Sequence, residues 1–454
     1  MSNHRFKEYN PDQLLLLPQD MRSWLPDDHL AWFVTDVVDR LDLFGFTEEY
    51  LHLAGGRPGF HPVMMVKLLV YAYCVGVPSS RRIERRTYED VAFRVLAAGY
   101  HPDHTAIAKF RNRHLGALSE LFVHVLMLAK EMGLVKLGHV ALDGTKVKAN
   151  ASKHKAMSYD RMSKRLDELR TEVKELLKRA EAADEAEDKK YGKGMRGDEI
   201  PKELRFKQSR IQKIEQAKAA LEKQSREEAK ESCKLDDDGN PTGGGGGRSE
   251  TGAGTPKPKQ QRNFTDPESR IMRDGATKSF EQAYNAQAAV DCDSQIIVSA
   301  DVTQDANDKQ QLVPMVEQIE ENLGEIPDRV LADSGYFSTF NVEYVDGNFM
   351  EPFICRDRTK HSEKPEPAPR GRIPNQMSAV DRMSRKLKTK AGKKTYSKRK
   401  ESVEAVFGQI KQARGFRQFL LRGFEKVRAE WRLICLGHNL LKMWRSRKSV
   451  SALA

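Results

Sequence analysis

Three short segments set an acidic residue at the edge of an apolar element: His139-Val140-Ala141-Leu142-Asp143-Gly144, Arg329-Val330-Leu331-Ala332-Asp333-Ser334-Gly335 and Val403-Glu404-Ala405-Val406-Phe407. The first two read as buried strands that each end in an Asp. The third lies on a helix whose apolar positions Val403, Val406, Phe407 and Ile410 follow the i, i+3, i+4, i+7 rule and pack it on a sheet. If the two strands are parallel neighbours, Asp143 and Asp333 meet at one sheet edge. Carboxylates are hard oxygen ligands suited to Mg²⁺ or Mn²⁺. Three from separate elements suffice for two ions roughly 4 Å apart, serving the attacking and leaving oxygens of an in-line displacement at phosphorus. Lys411, two turns beyond Glu404 on the same face, would add an ammonium for phosphate. Competing acids are Asp291, Asp293, Asp301, Asp305, Asp308 and above all Glu401.

The chain that must position these groups has 454 residues, a formal net charge of +12 and a pI near 9.3. Its length calls for two to four units, and the excess of Lys and Arg favours a polyanionic partner through release of condensed counterions. Cys74, Cys233, Cys292, Cys355 and Cys435 are far apart in sequence and read as structural thiols in a reducing compartment. No His or Cys pairing supports zinc, and the glycine run 243–247 lacks the Lys-Ser or Lys-Thr of a phosphate-binding loop. The N-terminus opens no apolar signal segment, and the most apolar stretch, Val63 to Val77, is interrupted by Lys67 and too short to span a bilayer. The expected location is cytoplasmic, with no membrane partner.

Residues 1–135 read as an all-α domain, with helical spacing in Leu30, Phe33, Val37, Val38 and Leu41 and again in Leu118, Leu121, Phe122, Val125 and Leu126. A helix from about Tyr88 to Ala97, a turn at Gly99 to Asp103, and a basic helix carrying Lys109, Arg111 and Arg113 outline either a helix-turn-helix reader of duplex DNA or a plain helical hairpin with a solvated basic face. Residues 158–261 form a charged helical pair, with sparse apolar positions such as Leu166 and Leu169, followed by a Gly-rich linker. This stretch is an insertion within one α/β domain of residues 136–157 and 262–445. A hairpin over Ala283–Val290 and Gln295–Val302, then helix, strand, helix, strand and a closing helix, make a mixed sheet flanked by helices. Residues 357–400 interrupt it; within them 381–400 carries ten Lys or Arg against one Asp and reads as a phosphate-contacting segment. Arg422, Lys426, Arg428, Arg432 and Lys442, near the C-terminus, are further candidates to line DNA.

These segments together resemble a DDE transposase of bacterial insertion sequences. The resemblance runs through Gly59-Phe60-His61-Pro62, Thr105-Ala106-Ile107-Ala108-Lys109-Phe110-Arg111, Leu142-Asp143-Gly144-Thr145-Lys146, Thr265-Asp266-Pro267-Glu268-Ser269-Arg270, Tyr284-Asn285-Ala286-Gln287, Ala332-Asp333-Ser334-Gly335-Tyr336 and Val403 to Lys411. It implies an RNase H-like catalytic domain behind an InsH-type N-terminal domain. The implied activity is metal-dependent cleavage at element ends and strand transfer into target DNA, by a homodimer in the DNA complex. It implies Asp143, Asp333 and Glu404 as catalytic ligands for two Mg²⁺ or Mn²⁺ ions, and Lys411 as a phosphate contact. The family signature sets an Arg four residues before the Glu. Lys400 stands there, while Arg399 and Tyr396 stand one residue earlier than the signature's Arg and Tyr, so Lys400 and Arg399 compete for that role. A catalytically silent DNA-binding derivative would keep the same fold and charge; the presence of all three acids speaks against it.

Overall fold

A computed structural model describes residues 20–48, 59–191, 202–232, 255–275, 278–356, 371, 374 and 376–446. The Gly-rich linker through residues 243–247, Cys233 and most of 357–378 lie outside them. Among the described residues, seven α-helices precede the first strand: α1 (Leu30–Arg40), α2 (Phe44–Thr47), α3 (Pro62–Cys74), α4 (Ser80–Glu89), α5 (Val91–Leu96), α6 (His104–Arg113) and α7 (Leu115–Glu131). The single helix expected over Tyr88–Ala97 is instead the end of α4 and all of α5. Asp90 breaks it by accepting hydrogen bonds from the N–H groups of Ala92 (2.9 Å) and Phe93 (3.4 Å), which starts a new helix. The apolar segment Val63–Val77 is the buried α3 and its end, and no described helix is long and apolar enough to cross a membrane.

A mixed sheet follows, from β1 (Val140–Lys148). After it come β2 (Ala156–Ser158), the paired helices α8 (Tyr159–Tyr191) and α9 (Lys202–Ser232), β3 (Gln261–Asn263), β4 (Arg270–Arg273), β5 (Phe280–Asp291) and β6 (Ile297–Thr303). Then come α10 (Leu312–Leu323), β7 (Arg329–Ala332), α11 (Thr339–Gly347) and β8 (Glu351–Ile354). β5 lies antiparallel between β6 and β1, β1 runs parallel to β7, and β7 parallel to β8; β4 pairs antiparallel with the start of β5, Phe280 to Ala283. This is an RNase H-like arrangement: a long antiparallel meander feeding a parallel edge. The hairpin and both parallel strands were legible, but β1 does not stop at Asp143. Pairing with β5 carries it to Lys148 opposite Ala283. The α8–α9 pair leaves the sheet between β1 and β5 and has its own small core of Met162, Leu166, Leu169, Ile214, Ala217 and Leu221.

Of residues 357–400, read from sequence as an interruption rich in charge, the described part from 378 folds in large part onto the sheet, and it continues into the helix expected around Glu404. Residues 379–413 form α12 (Ala379–Lys388), α13 (Lys390–Arg399), a π-helical turn (Lys400–Glu404), α14 (Ala405–Gly408) and a second π turn (Gln409–Ala413). Met383, Val403, Val406, Phe407 and Ile410 are buried, which accounts for their spacing. The closing helix, α15 (Phe424–Arg445), lies across β6 and also packs on α3 and α7. Asn439 from α15 mimics a strand: its side chain accepts from the Ile297 N–H (2.8 Å) and donates to the Ile297 carbonyl (2.9 Å). Arg428 is committed to Asp301 through two bonds (2.6 and 2.8 Å), Arg432 to Ser119 (3.0 Å), Arg422 to the Asn150 carbonyl (2.8 Å) and Lys442 to Gln295. These cations knit the fold rather than stand ready for DNA.

Candidate active site

The parallel register pairs Val140 with Val330, Ala141 with Leu331 and Leu142 with Ala332, so the next residues, Asp143 and Asp333, leave adjacent strands at the same level. The backbone after each Asp folds back on its own carboxylate: Gly144 N–H donates to Asp143 Oδ1 (2.9 Å) and Gly335 N–H to Asp333 Oδ1 (2.8 Å). Helical residues come from the other side. Arg399, at the end of α13 and buried, donates through Nη1 to Asp143 Oδ2 (3.0 Å) and through Nη2 to Glu404 Oε1 (3.3 Å). Its guanidinium also stands over the Tyr396 ring, 5.9 Å from the centroid. One cation therefore links the strand carboxylate to the helical one.

The competition between Lys400 and Arg399 resolves in favour of Arg399 at this position, with Lys400 exposed on the outside of the turn. The reason is the π turn. One extra residue between Arg399 and Glu404 is looped into the wider helical turn, so Arg399 and Tyr396 reach the carboxylates despite standing one residue early. Glu404 is about half exposed, while Glu401 is exposed and only its backbone carbonyl is engaged, by Gln295 Nε2 (2.9 Å).

Burial dominates the electrostatics. It pushes the Asp143 carboxyl up to about 7, against the pull of Arg399 and with the push of Asp333 and Asp308. Burial also works against the Arg399 charge, but Asp143, Tyr396, Asp333 and Glu404 more than offset it, and the guanidinium holds its proton more tightly than usual. Lys411 is lowered by burial; it donates to Thr145 Oγ1 (2.5 Å) and the Lys146 carbonyl (2.7 Å), which anchors its helix to β1 just past Asp143.

Asp308, in the loop after β6, also joins the site, and sequence reading left it among many competing acids. Asn285 Nδ2 (2.6 Å) and Gln287 Nε2 (2.8 Å), both on β5, donate to its Oδ1, and Lys146 Nζ stands 3.7 Å away. A Cβ on Gly144 would lie 2.5 Å from Asp308 Oδ1, so that glycine gives way to it, while one on Gly335 would lie 2.9 Å from Asp333 Oδ1 and in ordinary contact with Asp308 Oδ2 at 3.4 Å. The Tyr284-Asn285-Ala286-Gln287 segment was the available signal.

Among the described residues no group of three acidic, His or Cys side chains is gathered closely enough to hold a metal ion as it stands. The donor chemistry of Asp143, Asp333 and Glu404 nonetheless fits a hard divalent cation. All three offer carboxylate oxygen, and the desolvated Asp143 gains most from a neutralising charge.

In the N-terminal helices, Lys109 and Arg113 are exposed on α6. Arg111 is not. It stands four residues after the buried Ile107 on the same inward stripe, and its Nη1 donates to the Pro78 carbonyl (2.8 Å) and the Tyr73 hydroxyl (3.4 Å). It is a core cation, which corrects its reading as a DNA contact.

A mixed sheet of RNase H-like order with acidic residues after its two central parallel strands defines the class. Comparison of the sequence with protein-family models narrows it. The model described as Transposase domain (DUF772) matches residues 19–113, and the model described as Transposase DDE domain matches residues 355–444. Both matches are to transposase domains, and together they fit a DDE transposase of the insertion-sequence type. The second match contains Glu404, Arg399 and Lys411, whereas Asp143 and Asp333 lie outside it. No curated protein and no solved structure matches the chain.

Proposed function

We propose that this transposase binds the terminal inverted repeats of its element and target duplex DNA, and cuts and joins them through Asp143, Asp333 and Glu404. The observation that carries the reading is the meeting of parallel strand ends at Asp143 and Asp333 with Glu404, which Arg399 ties to Asp143. The three carboxylates would hold Mg²⁺ or Mn²⁺, and two such ions supply Lewis acidity at the attacking and leaving oxygens of an in-line displacement. Water first attacks the phosphorus at the element end and breaks its bond to the 3′ oxygen, leaving a 3′-hydroxyl. That hydroxyl then attacks a target phosphodiester, forming one phosphorus–oxygen bond as another breaks. Arg399 holds Asp143 and Glu404 toward each other. Lys411 fixes the Glu404 helix on β1 and retains one N–H for a phosphate, while exposed Lys400, Lys109 and Arg113 contact the DNA backbone. Residues 1–135 serve as the DNA-binding domain, 136–157 with 262–445 as the catalytic domain, and 158–261 as an insertion. The protein acts in the cytoplasm on nucleoid DNA, as a homodimer in the DNA complex.

The test is cleavage of a duplex carrying the element's own ends, with Mg²⁺. Asp143→Asn, Asp333→Asn and Glu404→Gln should each bind the duplex as wild type does and lose cleavage by orders of magnitude, because each removes a charged ligand and little volume. Glu401→Gln, whose carboxylate faces solvent, should cut normally. Wild-type cleavage by any of the first three would remove that residue from the ligand set.

A further inference from the structure

The acidic site accounts for the catalytic sheet but leaves the most basic helix of the N-terminal region without a task. α4 holds four arginines in ten residues, Arg81, Arg82, Arg85 and Arg86. Only Ile83 and Thr87 are buried, a stripe one turn long, so the opposite side faces solvent. Its acids are used internally. Glu84 Oε2 accepts from the His104 N–H (3.2 Å) and pairs with His104 Nδ1 (2.8 Å), fastening α4 to the start of α6. Asp90 caps α5 and touches Arg86 at 3.4 Å. Among the described residues, Arg81, Arg82 and Arg85 have no carboxylate partner, and Glu89 is the one acid on their side. Arg81 and Arg85 are like charges one helical turn apart, as are Arg82 and Arg86, a repulsion that Asp90 relieves at Arg86 and that a bound anion would relieve at Arg81, Arg82 and Arg85.

We infer that the outer face of α4 is a phosphate clamp for duplex DNA, with Arg81, Arg82 and Arg85 as its contacts. Residues four apart stand about 6 Å apart along the helix axis, so the long side chains of Arg81 and Arg85 can reach separate phosphates of one strand. Beside them the exposed Tyr88 ring stacks on His101, with centroids 3.8 Å apart and planes at 10°, which fixes the turn between α5 and α6 against the end of α4. Guanidiniums reaching phosphates carry no sequence information, so the clamp sets register and affinity but not preference. This inference rests on the DNA-binding part of the proposed function and is independent of its cleavage chemistry.

The experiment measures affinity of the full chain for duplex DNA against salt concentration, for wild type and for Arg81→Gln/Arg82→Gln/Arg85→Gln. Each lost phosphate contact removes about 0.9 from the slope of log affinity against log salt, so the triple variant should be shallower by about 2 to 3 units with unchanged sequence preference. Arg81→Lys/Arg82→Lys/Arg85→Lys should keep the wild-type slope, and Arg85→Gln alone should lose about one unit, which reads the surface even if the triple glutamine variant folds poorly. An unchanged slope in the single and triple glutamine variants overturns the clamp. So does a slope loss seen with single-stranded RNA and not with duplex DNA. Retained cleavage with an unchanged slope rejects the clamp and leaves the catalytic reading intact; a lost slope in a chain whose wild type never cuts does the reverse.

Discussion

At the scale of single residues, the site stores charge where water is scarce. The Asp143 carboxyl ordinarily ionises near 3.8, and burial pushes it up to about 7 in the folded chain. A folded pKa above the unfolded one means the native state binds the extra proton. The resulting stability is present below about pH 4 and is lost as pH rises toward 7. Wild type in a chelating buffer should therefore melt at progressively lower temperature from about pH 4 to about pH 7, and level off above it, relative to Asp143→Asn, whose amide needs no charge and leaves Arg399 paired with Glu404. A melting difference that does not change with pH would show that Asp143 ionises without cost. Asp143 and Asp333 were readable because an apolar run ending in Asp survives any detail of packing. Asp308 was not, since only the fold brings its loop over Gly144 and onto Asn285 and Gln287 of β5. Arg111 misled for the opposite reason: a basic residue on a basic helix looks solvated until its phase with Ile107 turns it inward.

At the scale of elements, the helix carrying Glu404 was legible in its packing and illegible in its pitch. Val403, Val406, Phe407 and Ile410 keep α-helical spacing among themselves, so the hydrophobic pattern carries no trace of the extra residue in the turn before them. The basic composition of 381–400 likewise hid that α12 and α13 are packed tightly enough to need a glycine. A Cβ on Gly392 would stand 2.0 Å from the Lys386 carbonyl oxygen and 2.7 Å from its carbon, backbone atoms that cannot rotate away. Thr389 caps α13 by accepting from the Gly392 N–H (2.9 Å), so the same residue sets where the helix bearing Tyr396 and Arg399 begins. Gly392→Ala should cost roughly 1–3 kcal/mol, the range for forcing atoms into a packed site. It should also displace Arg399 and so reduce cleavage more than DNA affinity. Wild-type melting and cleavage in this variant would mean that the α12–α13 corner is free to open.

At the scale of the whole molecule, the N-terminal helices and the sheet share one hydrophobic core, and α15 joins them. Arg414, buried without a carboxylate partner, donates from Nη1 to the Tyr73 carbonyl of α3 (3.3 Å) and the Ile434 carbonyl of α15 (3.0 Å). Gly76, with φ of 74°, fits beneath it: an added Cβ would lie 2.5 Å from the Arg414 carbonyl oxygen. None of this could be read in advance, because the pattern that buries a helix does not say which layer covers it. The N-terminal helices and the sheet that carries Asp143 and Asp333 are thus parts of one packed core, which under the proposed function would fix the distance between grip and cut. The seam is also tight at Gly437 of α15, where a Cβ would stand 3.2 Å from Cys74 N and from Tyr73 C and 2.9 Å from Arg414 Nη1. Gly437→Val fills that seam, forcing α3 and α15 apart at a cost of about 1–3 kcal/mol. If the core is shared, hydrogen exchange in α1 and α3, which reports the N-terminal helices, and hydrogen exchange in β1 and β7 should lose protection together in one transition. Two separated transitions, with only the α1 and α3 amides shifted, would show instead that the helices and the sheet fold as independent units.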